Sequence, residues 1–409
     1  MVAKEIRKYS DWSLFASTPP WEAIKLLFSL SVTEGIGWKG SKDKGKKIEV
    51  SDVRRAYFYA NARRNVFVEL PEEDSQHGMC GELDKSMYGT RDAANNWEQE
   101  YCEFLESVGF TRGKSVPCSF YNDKKDMCLV VHGDDFTILG YEDSLDWFKK
   151  EMKKKFEIKT TRIGPAKGDD KSLKILNRIV EWTPQGITIE GDQRHAEIIV
   201  RDMELELNSK SVTTPYDGTD KAEDEEELPP EEATQYRANV ARGNFMSSDR
   251  SDIQYTVKEL SRGMSSPKKC DMKRLKRLAR YLVGAQRVKL MFRYLSKEEA
   301  KKITVQSDTD FAGCRKTRKS TSGGVLMIAS HLIKSWSTTQ TVIALSSGEA
   351  EYYGLVKAAA QGMGAKAMLM DFGVDIKEPI DVMSDASAAI GIAQRRGMGK
   401  VRHIETNQL

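Results

Sequence analysis

The sequence predicts a chain of mixed α+β and α/β domains, and three observations point there. Its 409 residues are enough for two or three domains with substantial cores. Met127 to Gly140 (MCLVVHGDDFTILG) sets two short apolar runs around a Gly-containing break, the pattern of a β-hairpin. From Ile303 onward the texture becomes βββαβα.

Composition narrows the class. The chain is 39% hydrophobic and 31% charged, with a net charge of only +3, so any nucleic-acid affinity must come from local patches. Six cysteines show no CxxC pairing and no Cys/His ligand spacing. They read as reduced thiols of a cytosolic or nuclear protein, without a zinc site or disulfide frame. There is no signal-peptide pattern, no apolar run long enough to span a bilayer and no internal repeat.

In chain order, residues 1–20 end in Pro19-Pro20, and Trp21 to Val32 reads as a buried helix. Gly35, Gly37 and Gly40 spell GxGxxG, but no strand leads in and no helix follows, so a flexible basic loop is expected. Ile48 to Phe58 has strand composition with Asp52 near its middle, and Asn65 to Leu70 looks like the next strand. A loop at Tyr88-Gly89 opens a helix running to about Val108. Tyr141 to Phe156 is an amphipathic helix whose lysines lie on a solvated face. Ile175 to Trp182 and Gly186 to Glu190 suggest a hairpin, followed by a helix at Arg194 to Leu207. Asp217 to Glu232, with EDEEELPPEE, reads as an acidic linker. Thr234 to Ser261 looks helical with a break near Ser247 to Asp252. Met272 to Leu282 is a basic amphipathic helix that could touch phosphates, a partner groove or a membrane surface. Strands follow at Ile303 to Asp310, Gly324 to Ser330 and Leu332 to Ser337. A long helix at Gly348 to Phe372, a short strand at Ile380 to Met383 and a helix at Ala386 to Gln394 complete the pattern.

Carboxylates fall into two groups. Asp52 lies in one predicted strand, and Asp134-Asp135 occupy the predicted hairpin turn. If those strands are neighbours, three acids converge with no Lys or Arg beside the pair, and their repulsion would raise pKa values. Two Mg²⁺ ions about 3.5–4 Å apart would relieve that and could serve a phosphoryl-transfer reaction. Gly133 before the pair leaves room for a substrate to approach the backbone. The second group is Asp308 (or Asp310, two residues on and sharing its strand face), Glu351, Asp385 and Glu405. Scattered acids on such a frame suit a second two-metal site. Taken singly, Asp385 reads as a helix N-cap and Glu351 as a first-turn acid.

Several segments carry a family resemblance. They are Asp52-Val53-Arg54-Arg55-Ala56-Tyr57, Lys85 with Tyr88-Gly89, Ala93-Ala94 and Trp97, and His132-Gly133-Asp134-Asp135. Thr214-Pro215 and Arg250-Ser251-Asp252-Ile253 follow. Then come Ser307 to Gly313, Arg318 to Gly323, Ser346 to Tyr352, Ser384-Asp385 and His403-Ile404-Glu405. In this order, over almost the whole chain, they resemble the reverse transcriptase and ribonuclease H part of copia-type retrotransposon polyproteins.

The resemblance implies a right-hand polymerase palm and fingers with thumb and connection, then a ribonuclease H-like domain. It divides the chain into partial fingers and palm (1–160), a thumb-like part (161–216), an acidic linker and helical connection (217–300), and a ribonuclease H-like domain truncated at its C-terminus (301–409). The implied function is an RNA-directed DNA polymerase with an RNA–DNA hybrid nuclease, both Mg²⁺-dependent. Asp52, Asp134 and Asp135 would hold the polymerase ions. Tyr57 would exclude a ribose 2′-hydroxyl, with Gly89 beside it in the nucleotide site. Asp308, Glu351, Asp385 and Glu405 would serve the nuclease, Glu405 being a longer arm than the family's Asp. Partners would be an RNA template, a DNA primer, the RNA–DNA hybrid and dNTPs, with no membrane and with a homodimer left open.

The chain also departs from the family. The first fingers strands are missing or replaced by Met1 to Ser31, His132-Gly133 stand where the family more often has Tyr or a similar residue followed by Val or Met, and Ser251 stands for Pro. The chain reads as a fragment or a decayed copy, so the alternative function is an inactive relic keeping at most nucleic-acid binding. A protein kinase is refused: Gly35 to Gly40 and Asp371-Phe372-Gly373 mimic two kinase motifs, but no VAIK-like Lys and no HRD loop stand between them.

Overall fold

The computed structural model describes residues 5, 14–74, 77–206, 208–218, 225–314 and 316–395. It forms two units, Met1–Lys171 with Gly364–Lys377, and Ser172–Met363 with Glu378–Leu409. The mixed α/β architecture expected from the sequence is the one found.

The first unit opens with helix α1 (Trp21–Ser31), which starts directly after Pro20 and is buried along most of its length, Lys25 included. Strand β1 (Lys47–Val53) follows, then the short pair β2 (Phe67–Val68) and β3 (Gly81–Glu82), then α2 (Ala93–Ser107). The remaining elements are β4 (Thr111–Arg112), β5 (Ser119–Asn122), β6 (Met127–His132), β7 (Asp135–Gly140), α3 (Glu142–Lys155) and β8 (Ile158–Ile163). Six of these strands form one antiparallel sheet in the order β4-β5-β6-β7-β1-β8. Trp97, Phe104 and Leu105 from α2 and Leu145, Phe148 and Met152 from α3 bury the face that carries Val53, Phe136 and Ile138. The spacing of the α3 residues makes one apolar stripe. Glu142 and Asp143 in its first turn and Lys153 to Lys155 in its last suit the helix dipole.

Three local expectations change. The strand predicted to reach Phe58 ends at Val53, because Arg55 takes a left-handed conformation (φ 56°) and Ala56–Tyr59 form a 3₁₀ turn. The strand predicted at Asn65 to Leu70 shrinks to Phe67–Val68, whose partner is Gly81–Glu82. The GxGxxG stretch is a tight turn rather than a flexible loop. The Gly37 amide donates to the Thr33 carbonyl, and a Cβ on Gly37 would lie 2.1 Å from the Ser31 oxygen. Gly37 permits this close backbone packing, while Gly35 and Gly40 supply the positive φ (82° and 72°) of the turn. The Asp-Phe-Gly triplet likewise has a local role: the Asp371 carboxylate accepts from the amides of Lys114, Ser115 and Val116, and Gly373 has φ 75°.

The second unit begins with β9 (Ser172–Ile175), β10 (Arg178–Thr183) and β11 (Gly186–Gly191), then α4 (Arg194–Asp202). The strand predicted from Ile175 to Trp182 is broken at Leu176 and Asn177. Both have positive φ (45° and 62°), which suits a two-residue hairpin turn. Helices α5 (Pro230–Ser247), α6 (Ser251–Arg262) and α7 (Lys269–Gly284) follow, and β12 (Leu290–Arg293) closes the sheet β12-β11-β10-β9. The helices share a core of Ile199, Tyr236, Val240, Val257, Leu278 and Leu282, among others.

The last part holds β13 (Ile303–Asp310), β14 (Thr321–Ile328), β15 (His331–Thr339), α8 (Ser347–Asp371), β16 (Asp381–Met383) and α9 (Ser387–Gln394). Its sheet runs β15-β14-β13-β16, antiparallel except where β16 lies parallel to β13. The βββαβα order read from Ile303 onward is the one found.

Two candidate active sites

The first cluster is set by strand register. Asp52 of β1 lies directly opposite Asp135 of β7, Asp135 lies opposite His132 of β6, and on the other side of β1 Asp52 lies opposite Lys159 of β8. Directly opposed residues share a face, so His132, Asp135, Asp52 and Lys159 form one row across four strands. Asp135 is the first residue of β7 rather than part of the turn. The turn is Gly133-Asp134, with Gly133 at φ 65°, as a hairpin with Gly in its first central position requires. The Asp134 carbonyl accepts from the Val53 amide at 3.0 Å, and the Gly133 carbonyl accepts from Trp97 Nε1 at 2.8 Å. These bonds tie the turn to the end of β1 and to α2.

Two carboxylates more than eighty positions apart in sequence thus stand directly opposed at one end of the β1–β7 pair, with Asp134 beside Asp135 at the turn. Burial, then the charges of Asp134 and Asp52, push Asp135 up to about 6. Protonation is one way to relieve that crowding, and a divalent cation is the other, so the acids present fit a metal. Their oxygens do not draw as close as those of the second cluster, since Asp134 is exposed at the turn. Lys159 is the residue sequence reading missed. It stands on the same face as the acids, and only the β1–β8 register reveals it.

Tyr57, in the 3₁₀ turn after β1, is half-buried with its ring 4.4 Å from that of Tyr88. Burial, then the charge of Asp134, raise the pKa of both tyrosines. Gly89 follows with φ 96°, the left-handed turn that carries the chain away from Tyr88. His132 is half-buried with Nδ1 lacking a partner, and burial lowers its pKa against the pull of Asp134.

The second cluster is tighter. One oxygen each of Asp308, Glu351 and Asp385 lies within 4.8 Å of the others, the one such trio among the described residues. Asp308 sits near the end of β13, Asp385 two residues beyond β16, and the parallel β13–β16 pairing brings the two strand ends together. Glu351 descends from α8. Its Oε1 accepts from the Thr309 amide at 3.1 Å, while Oε2 is buried with no hydrogen-bond partner. An orphaned, buried carboxylate oxygen beside two further acids fits a hard divalent cation. Burial first, then Asp308 and Asp385, raise the pKa of Glu351.

The bland readings of these acids fail on geometry. The residue before α9 is Ala386, so Asp385 does not cap that helix. Glu349, not Glu351, is the first-turn acid of α8, and it accepts from the Leu345 amide. Asp310 shares the face of Asp308 but stays out of the trio. Glu405 lies outside the described residues.

A cleft of about 710 Å³ adjoins this trio, lined by Asp308, Asp385, Trp336, Tyr255 and Gln254 among others. Among the described residues, no helix is long and apolar enough to cross a membrane.

The chain is 26% identical over 378 residues to the retrovirus-related Pol polyprotein from transposon TNT 1-94 of Nicotiana tabacum, covering 88% of this chain and 27% of that protein. It is 24% identical over 351 residues to the corresponding polyprotein from transposon RE1 of Arabidopsis thaliana, covering 84% of this chain and 23% of that one. The chain therefore spans about a quarter of the length of these relatives. Among solved structures, a foamy viral protease-reverse transcriptase in complex with double-stranded DNA aligns with TM-score 0.46 at 9% identity, over 91% of this chain and 54% of that one. The family described as reverse transcriptase (RNA-dependent DNA polymerase) matches residues 7–216. The chain belongs to that reverse transcriptase family, in the form carried by copia-type retrotransposon polyproteins.

Proposed function

We propose that the first unit extends a DNA primer on an RNA template and that the second cleaves the RNA of the resulting hybrid, each with Mg²⁺. The observation that carries the reading is the row of Asp135 and Asp52 on neighbouring strands, with Asp134 tied to the end of β1. Asp52, Asp134 and Asp135 would hold the polymerase ions, and Asp308, Glu351 and Asp385 those of the nuclease. When bound, such ions supply Lewis-acid stabilisation of the attacking and leaving oxygens.

The chain's own groups do the rest. The opposed strands fix the spacing of two acids before any substrate arrives, which lowers the reorganisation needed. Lys159 puts a positive charge on the same face, where a triphosphate would gain from it. The Tyr57–Tyr88 stack presents bulk beside Asp134, suited to excluding a ribose 2′-hydroxyl. At the second site, the Thr309 amide holds one oxygen of Glu351 and leaves the other for coordination.

The test is primer extension by the purified chain on poly(rA) with an oligo(dT) primer and Mg²⁺. Wild type should incorporate dTTP and Asp134→Asn should not; equal extension by both ends the polymerase reading. Tyr57→Ala should admit ribonucleotides. Cleavage of a labelled RNA–DNA hybrid should survive Asp134→Asn and disappear in Glu351→Gln. Hybrid binding with neither activity would favour the inactive relic.

A further inference from the structure

Helix α7 carries a line of cations, and the chain lays its own acidic segment against it. Lys269, Lys273, Lys276 and Arg280 are spaced by four, three and four residues, so they run along one side of the helix, opposite Leu275, Leu278 and Leu282 of the core. The line extends for roughly 16 Å at the helical rise of 1.5 Å per residue. Lys276 and Arg280 are exposed and make no ion pair among the described residues.

The start of this line is covered. Lys268 Nζ lies 3.0 Å from Glu225 Oε2, and Lys269 Nζ lies 2.6 Å from Glu226 Oε2. Ser266 Oγ donates to Glu227 at 2.7 Å. Backbone bonds complete the seam: the Lys269 amide donates to the Glu226 carbonyl and the Leu228 amide to that of Pro267. On the flank of the helix, Arg277 pairs with Asp217 at 2.9 Å and donates to Thr214 Oγ1. The carboxylates of Glu225 and Glu226 are mostly exposed (71% and 66%). Exposed pairs of this kind contribute little and weaken with salt, so another polyanion can replace them.

We infer that the cationic side of α7 is a contact surface for the sugar–phosphate backbone of a nucleic acid, and that Glu225 and Glu226 occupy its entrance in competition with that backbone. Regular cations on one helix side, spaced about 6 Å along the axis at i, i+4, suit a row of phosphates. The overall charge of +3 supplies no general attraction, so a local line of this kind must carry it. The segment bearing Glu225 and Glu226 then sets the affinity through its own carboxylates and makes binding competitive at low salt.

The experiment measures anisotropy of a labelled 20-base-pair RNA–DNA hybrid titrated with the full chain, in EDTA, across a salt series. Without divalent metal neither proposed reaction runs, so this result stands apart from the outcome of the activity tests. Glu225→Gln with Glu226→Gln should tighten binding by about 3–10-fold at low salt. Lys276→Gln with Arg280→Gln should weaken it and make the log–log salt slope shallower by about 1–2. In the fourfold variant, the gain from the glutamate changes should shrink, because the backbone has fewer cations of the α7 line left to engage. An unchanged affinity in the glutamate variant, or a gain that persists undiminished in the fourfold variant, overturns the inference. The second outcome would mark a general charge effect. Thermal melts of all four proteins separate loss of binding from loss of fold.

Discussion

Asp52 and Asp135 face each other across the β1–β7 ladder, two acids in directly opposed positions of an antiparallel pair. Like charges so placed destabilise a sheet, and here burial adds to the cost, since Asp135 is driven up to about 6. Asp52→Asn should therefore have opposite effects on stability and function. In EDTA it should raise the melting temperature slightly, by relieving a repulsion worth up to about 1 kcal/mol. With Mg²⁺ and primer–template it should lower incorporation by at least about 100-fold, as loss of a group aimed at developing charge does. A variant that loses activity and stability together would show Asp52 to be structural.

Gly354 tests the second cluster without touching an acid. It lies one turn beyond Glu351, and a Cβ there would sit 2.6 Å from Thr309 Oγ1 and 2.8 Å from Ser307 Oγ. The glycine lets α8 lie close enough to β13 for Glu351 to reach the Thr309 amide. Gly354→Val should push the helix away and destabilise the second unit by about 1–3 kcal/mol. Hybrid cleavage should fall while primer extension is retained. Parallel assays of the two activities, with urea denaturation, check this.

Gly37→Ala separates the phosphate-loop spelling from its structural use. The added methyl would meet the Ser31 and Leu30 carbonyl oxygens at 2.1 and 2.5 Å, both on rigid backbone. The expected result is a loss of about 1–3 kcal/mol in stability. At a temperature where the variant is folded, the KM for dNTP should stay unchanged. A raised KM with unchanged stability would restore the loop as a nucleotide contact.

Much of this was legible in the sequence, and what was not has physical causes. The hairpin around Asp134, the helix carrying Leu145, Phe148 and Met152, and the βββαβα texture after Ile303 all follow from local periodicity. The opposition of Asp52 and Asp135 required the sheet order, which places β1 between β7 and β8 against chain order. Lys159 escaped for the same reason: nothing in its own segment, IKTTRI, says that its strand lies beside Asp52. The breaks at Arg55 and at Leu176-Asn177 escaped because residues other than glycine adopt positive φ there under tertiary constraint. The choice of Asp308 over Asp310 needed Glu351 in place, since alternation along a strand gives both the same face.

His331 yields the last prediction, one of acid stability. It is fully buried at the start of β15, with Nε2 donating to the Arg293 carbonyl at 2.8 Å and the ring 5.0 Å from Phe292. Burial lowers its pKa to about 4, against the opposing pull of that hydrogen bond and of Glu299. The ordinary value is 6.5, so the unfolded chain takes up the proton first as pH falls. The stability contribution is complete above about 6.5 and is lost as pH drops toward about 4, to a total of about 3 kcal/mol. Urea denaturation of wild type and His331→Gln at several pH values between 7.5 and 4.5 isolates this residue and its coupling to Glu299, because the other carboxylates titrate alike in both. The variant should be less stable at pH 7.5, since glutamine fills the site less well, yet the gap should close as pH falls. A gap that stays constant would mean that His331 holds β15 by packing alone and carries no proton linkage.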